Sequence, residues 1–137
     1  MIRYLLDTTI LAGYLSGRSF AIDLVAPWVA EREVATSIIA YAEVIEYVRG
    51  HANFVARYNQ LRGLLLVITP IFVSRVEAER YADIRRRLRP PHGPGLIGDM
   101  DTLIAATAIE HDLTLVTADS DFLRVPDLRV HHVTPSR

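Results

Sequence analysis

Residues 3–11 read RYLLDTTIL: a short apolar run, Tyr4-Leu5-Leu6, stops at an acid, Asp7, and two threonines precede a helical pattern. A few apolar residues closed by a turn signal form a strand buried on both faces. Thr8 or Thr9 can cap the helix that begins there. A carboxylate at the carboxyl end of a buried parallel strand sits in the crevice where open α/β sheets bind ligands. Taken alone, Asp7 is better explained as a cap for the next helix. More acids arrive at equivalent places, and they change the reading.

Downstream of residue 11 the chain alternates. Residues 9–15 form a helix ending near Gly17, and residues 20–31 form a second, which Pro27 should kink or split. Residues 33–36 give a short strand. Ser37 is placed to cap a third helix that runs to Arg49 and ends at Gly50. Its apolar positions, Ile38, Ala42 and Ile45 with Tyr41, Val44 and Val48, form a broad face at helical spacing. Phe54, Tyr58, Leu61 and Leu65 repeat at 4-3-4 spacing and predict a fourth helix. Residues 66–69 then predict a third strand, stopped by Pro70. A fifth helix over 74–88 turns Ala78, Tyr81, Ile84 and Leu88 inward. Residues 89–98, RPPHGPGLIG, are irregular. A sixth helix starts near Asp99, a fourth strand covers 113–117, a short helix opens at Asp119, and 128–132 form an edge strand. Strands separated by helices predict an α/β fold with helices layered on a mostly parallel sheet.

The bulk properties bound the function. At 137 residues the chain makes one domain, 1–137, able to bury about two-thirds of its unfolded surface. Half of the residues are hydrophobic and mean hydropathy is +0.20, which points weakly to a covered surface such as a homodimer. There is no cysteine, so disulfides and thiolate metal sites are excluded and a reducing cytoplasm is the natural home. The apolar run 64–68 is far too short to span a membrane. Net charge is -1, so any nucleic-acid contact must come from local patches. All fifteen basic residues are arginine, which rules out any chemistry that needs a lysine.

The acids carry the chemistry. Asp7 follows the first strand, Asp119 and Asp121 follow the fourth, and Asp99 and Asp101 open the helix after the Gly/Pro loop. Each alone is explained by capping or by the helix dipole. Together they place three acidic sites at one edge of one sheet. Two carboxylates about 4 Å apart repel by roughly 4 kcal/mol at an effective dielectric near 20. Such a cluster needs protonation or a cation, and an all-oxygen ligand set favours magnesium or manganese over zinc. Glu43 shares the polar stripe of the third helix with Glu46. It lies about 9 Å along the helix from Ser37, so only its long side chain could lean back toward the cluster.

LLDTTIL, Glu43 in YAEV, IGDMDTLIAATAI and LVTADSDF resemble, in order, the four signature blocks of PIN domains. The resemblance is closest to VapC-type toxins of bacterial toxin–antitoxin pairs and covers practically the whole chain. It implies that Asp7, Glu43, Asp101 and Asp119 are the acidic quartet that holds magnesium, with hydroxyl support from Thr9 and Thr117. Asp99 and Asp121 are neighbouring acids, and which carboxylates touch metal stays open. The resemblance further implies a PIN-like three-layer fold and a homodimer. Its implied activity is that of a metal-dependent endoribonuclease leaving a 5′-phosphate and a 3′-hydroxyl. The implied partner is a cognate antitoxin that covers the active-site groove.

A carboxylate-held magnesium can lower the pKa of water, orient it and stabilise charge on a phosphodiester. No residue reads as a dedicated general base; His92 is a lone loop histidine. An acidic pocket repels RNA, and the arginine-rich helix end is the candidate for phosphate contact, with Arg85, Arg86 and Arg89. A solvated face balanced by Glu77, Glu79 and Asp83 explains those arginines equally well. Other α/β readings lack their residues. A receiver domain needs a lysine, a haloacid-dehalogenase-type phosphatase needs Asp where Thr9 stands, and neither GxGxxG nor GxxxxGK[ST] occurs. The rival from another class is a PIN-fold RNA- or protein-binding module without activity.

Overall fold

The central strand is β1 (Tyr4–Leu6), and the computed structural model, which describes residues 1–135, places two strands on either side of it. β2 (Val34–Ser37) and β3 (Thr69–Ile71) lie on one side, β4 (Thr114–Thr117) and β5 (Val130–His132) on the other. Every pairing is parallel, with Leu5 opposite both Ala35 and Leu115. Leu5, Leu6, Leu115 and Val116 have no exposed surface, as expected for strands covered on both faces. Six helices flank the sheet: α1 (Thr8–Leu15), α2 (Ser19–Ala30), α3 (Ile38–Arg49), α4 (Phe54–Leu64), α5 (Arg75–Leu88) and α6 (Asp99–Glu110). Among these, α1 packs on α2 and α3, and α5 packs along α6. The small run Ala105-Ala106 is fully buried on α6. Among the described residues no helix is long and apolar enough to cross a membrane.

The chain leaves β1 toward β2 and later returns to its other side with β4. The strand order therefore reverses between β1 and β4, and a crevice opens beyond their carboxyl ends. Asp7 ends β1, and Asp119 stands two residues beyond β4.

Several local expectations are corrected. Pro27 does not split α2, which runs unbroken through it. Asp23 and Pro27 both face solvent, so water can take the carbonyl that a proline leaves without a donor. The third strand is 69–71 rather than 66–69. The chain after α4 keeps winding, with Leu66, Val67 and Ile68 donating to the carbonyls of Gly63 and Leu64. Leu66 is 83% exposed as a result. Pro70 lies inside β3 instead of ending it, which an edge strand tolerates. Ala42, Phe54 and Ala78 are exposed, and the fully buried residues of their helices include Ala40, Leu61 and Ile84.

The last of these shifts puts an acid in the interior. Glu77 is buried on the inner face of α5. Its carboxylate accepts from the Ser74 hydroxyl and from the Ser74 N–H at 3.0 Å, closing a capping box, and the His111 ring meets it at 2.8 Å. The Ser74 bond, aided by His111, holds the Glu77 carboxyl down at about 2 against the opposing effect of burial. A carboxyl whose folded pKa is depressed contributes stability above its ordinary range and loses it as pH falls. Glu77→Ala should lower unfolding free energy by about 1–3 kcal/mol, since it removes the hydrogen bonds that Ser74 and His111 make to a charged carboxylate. Urea titrations at several pH values check this. The deficit should be full above pH 4.5 and shrink between pH 4.5 and 2.

Candidate active site

Asp7 stands where β1 becomes α1, in extended backbone geometry (φ -79°, ψ -179°). One carboxylate oxygen accepts from the Ile10 N–H at 3.1 Å, capping α1, and the other accepts from the Thr117 hydroxyl. The expectation that Thr8 or Thr9 caps this helix is corrected: Asp7 is the cap. It is only 4% exposed. Burial pushes its pKa up to about 6, and the negative charges of Asp101 and Asp119 add to the rise. The two hydrogen bonds oppose it.

Thr117 ends β4 and works in both directions. Its hydroxyl donates to Asp7 and accepts from the Asp119 N–H at 3.0 Å. Asp119 in turn caps the 3₁₀ turn Ser120–Arg124 by accepting from the Asp121 N–H at 2.9 Å. Asp101, in the first turn of α6, is half-buried. Its pKa is also pushed up to about 6, by burial first and then by Asp119, Glu43 and Asp121. Glu43 reaches this group from α3, and the Thr8 hydroxyl donates to it at 2.6 Å. Four carboxylates from four elements thus share one field.

The remaining predicted residues fall outside that knot. Asp99 accepts from the Tyr81 hydroxyl at 2.9 Å and from Arg85 at 2.8 Å, so it faces α5. Asp121 lies 3.6 Å from Arg124. Thr9 is exposed, and the hydroxyl that holds Glu43 belongs to Thr8. Sequence reasoning missed Thr8 because two adjacent threonines carry no signal for which one faces α3. With Asp7 as the cap, the first helical position is Thr8.

Oxygen donors alone make up this set, which suits a hard divalent cation. Among the described residues no three of these side chains stand in ligating geometry. Each of Asp7, Glu43 and Asp119 is turned to a donor of its own, and mutual repulsion keeps like charges apart. Asp101 has no hydrogen-bond partner among the described residues. Beside the acids lies an open cleft of about 400 Å³ lined by Thr8, Gly13, Phe20, Glu43, Val44 and Tyr47.

The PIN domain family model matches residues 4–128. Among curated proteins no sequence relative matches. Several solved structures do. VapBC2 from Rickettsia felis, solved bound to a promoter DNA fragment, is 26% identical with a TM-score of 0.84, over 97% of this chain and 99% of that one. A toxin-antitoxin complex from Klebsiella pneumoniae is 28% identical with a TM-score of 0.73, covering 98% of each chain. FitAcB from Neisseria gonorrhoeae is 25% identical with a TM-score of 0.82, over 94% of this chain and 96% of that one.

The raised carboxyls have a consequence for stability. A folded pKa near 6 against an ordinary 3.8 means the native state holds protons that the unfolded chain has released. Stability contributed by those protons is present near pH 4 and drains away as pH rises through 6. In EDTA, Asp7→Asn and Asp101→Asn should each gain melting temperature relative to wild type between pH 4 and 7. Thermal melts across that window check it, and a constant difference between variant and wild type would contradict it.

Proposed function

Since the chain belongs to the PIN domain family over residues 4–128, we propose that it is a magnesium-dependent endoribonuclease, the toxin of a toxin–antitoxin pair. The observation that carries this reading is electrostatic. Asp7 and Asp101 come from distant parts of the chain, yet both titrate near 6, with Asp119 among the causes in each case. Carboxylates gathered at such a cost fit a cation site. Asp7, Glu43, Asp101 and Asp119 would hold the ion, with Asp121 close by. Asp99 is committed to Tyr81 and Arg85. A magnesium or manganese ion held by these residues would supply Lewis acidity toward water and the phosphodiester.

The chain's own groups set the stage for that chemistry. Thr117 fixes the rotamer of Asp7 and, through the same oxygen, the backbone of Asp119. Thr8 holds Glu43 in place at the cleft. Asp101 is the acid whose side chain is free to turn, and it stands at the positive end of α6. The partner reading is supported by the solved toxin–antitoxin complexes and by the cleft itself, whose Phe20 and Tyr47 offer apolar surface beside Glu43. An antitoxin segment seated there would block substrate from the acids. A homodimer and action on cytoplasmic RNA complete the proposal. A binding module without activity is the weaker reading, because capping accounts for Asp7 alone and not for Asp101 and Asp119 gathered around it.

Purified protein should cleave total RNA with magnesium or manganese and not with EDTA. Asp7→Asn and Asp101→Asn should each lose at least about a hundredfold, on the scale of electrostatic groups at active sites. Cleavage that persists in both variants rejects the site. Expression of wild type without its partner should arrest growth, and harmless expression rejects the toxin role while leaving the nuclease intact.

A further inference from the structure

Resting on the nuclease reading, we propose that a groove at the carboxyl end of α5 holds a backbone phosphodiester of the RNA strand, outside the bond being cut. The groove has a volume of about 520 Å³ and is lined by Arg86 and Arg87 of α5, His92 and Gly93 of the following loop, and Arg124 at the end of the 3₁₀ turn. It is linked to the acids through Arg124. Arg124 lies 3.6 Å from Asp121, whose charge acts on Asp101, and donates to the Leu96 carbonyl at 3.3 Å. A polyanion entering the acidic crevice needs compensating charge close by, and Arg124 brings the groove to its edge.

Two further features make the groove a binding site rather than a solvated face. The first is rigidity. The loop folds back so that the Gly93 and Gly95 N–H groups donate to the carbonyls of Arg89 and Leu88, at 3.0 and 2.8 Å. A Cβ on Gly93 would come within 2.1 Å of the Arg87 carbonyl oxygen, so only glycine allows this seating. His92 and the arginines are therefore presented on a fixed backbone. The second is available charge. Arg87 pairs with Asp127 at 2.7 Å and Arg124 with Asp121, both at exposed positions, where ion pairs are weak and a phosphate can compete. Arg86 makes no ion pair among the described residues. Arg85, by contrast, is committed to Asp99. The phosphate site thus comprises Arg86, Arg124 and His92 rather than the run 85–89 as a whole.

Arg86→Glu reverses a charge on a side chain that holds no other group in place, so it should fold normally. In EDTA, a short fluorescent single-stranded oligoribonucleotide bound to Asp101→Asn protein reports affinity by anisotropy across a salt series. Adding Arg86→Glu should weaken binding at least about tenfold and reduce the slope of log affinity against log salt by about 0.7 for each phosphate left without its arginine. Arg75→Glu, the same charge change at the other end of α5, should alter affinity less than about twofold. Arg124→Gln should act in the direction of Arg86→Glu. If Arg86→Glu binds as Arg75→Glu does, with the same salt slope, the groove is not the phosphate site. Cleavage by wild type is scored separately. Its failure would reject the nuclease reading and leave the binding comparison to decide the groove.

Discussion

The hydrogen bond between the Asp7 carboxylate and the Thr117 hydroxyl is the constraint on which the rest is built. It joins the ends of two adjacent central strands, β1 and β4. Through the other oxygen of Asp7 it also fixes the start of α1. A carboxylate used this way is kept out of water, which raises its affinity for a proton. The fold accepts that cost at its topological switch point, where the strands on either side diverge and leave space. The same side chain therefore pins two elements and lies among the acids beyond the strand ends, so capping does not compete with the role proposed for it.

Around that pin the charges are sorted by element. Glu43 and Asp101 lean toward Asp7 and Asp119, while Asp99, two residues from Asp101, is drawn to Tyr81 and Arg85. Two residues along a helix turn a side chain through about 200°, so neighbouring acids on α6 answer to different surroundings. Asp121 sits between the two regimes, close enough to Asp101 to act on it and to Arg124 to be balanced by it. The border between negative crevice and positive groove runs through that one residue.

Much of this was legible because it rests on local chemistry. Apolar runs closed by acids located β1 and β4, and Ser37 announced the start of α3 and caps it as expected. The α/β class followed from alternation alone. What escaped depended on tertiary context. The turns after α4 carry Leu66 and Val67, whose apolar character imitates a strand, yet the backbone closes helical bonds there. Glu77 reads as a surface charge until Ser74 and His111 are brought to it. Arg124 carries no motif, and its place beside the loop depends on how the 3₁₀ turn settles against residues far away in sequence. Periodicity reports which face is apolar. It is silent about which polar side chain meets which.

Pro70 illustrates how a residue that looks like a terminator becomes a boundary of another kind. It occupies the middle of a three-residue outermost strand and has no amide hydrogen to offer a newcomer. A margin so short and so poor in donors is a bad template for stacking one molecule's sheet onto the next. Growth by strand addition is discouraged on that flank, and a companion that meets the β3 side must grip helices and clefts instead.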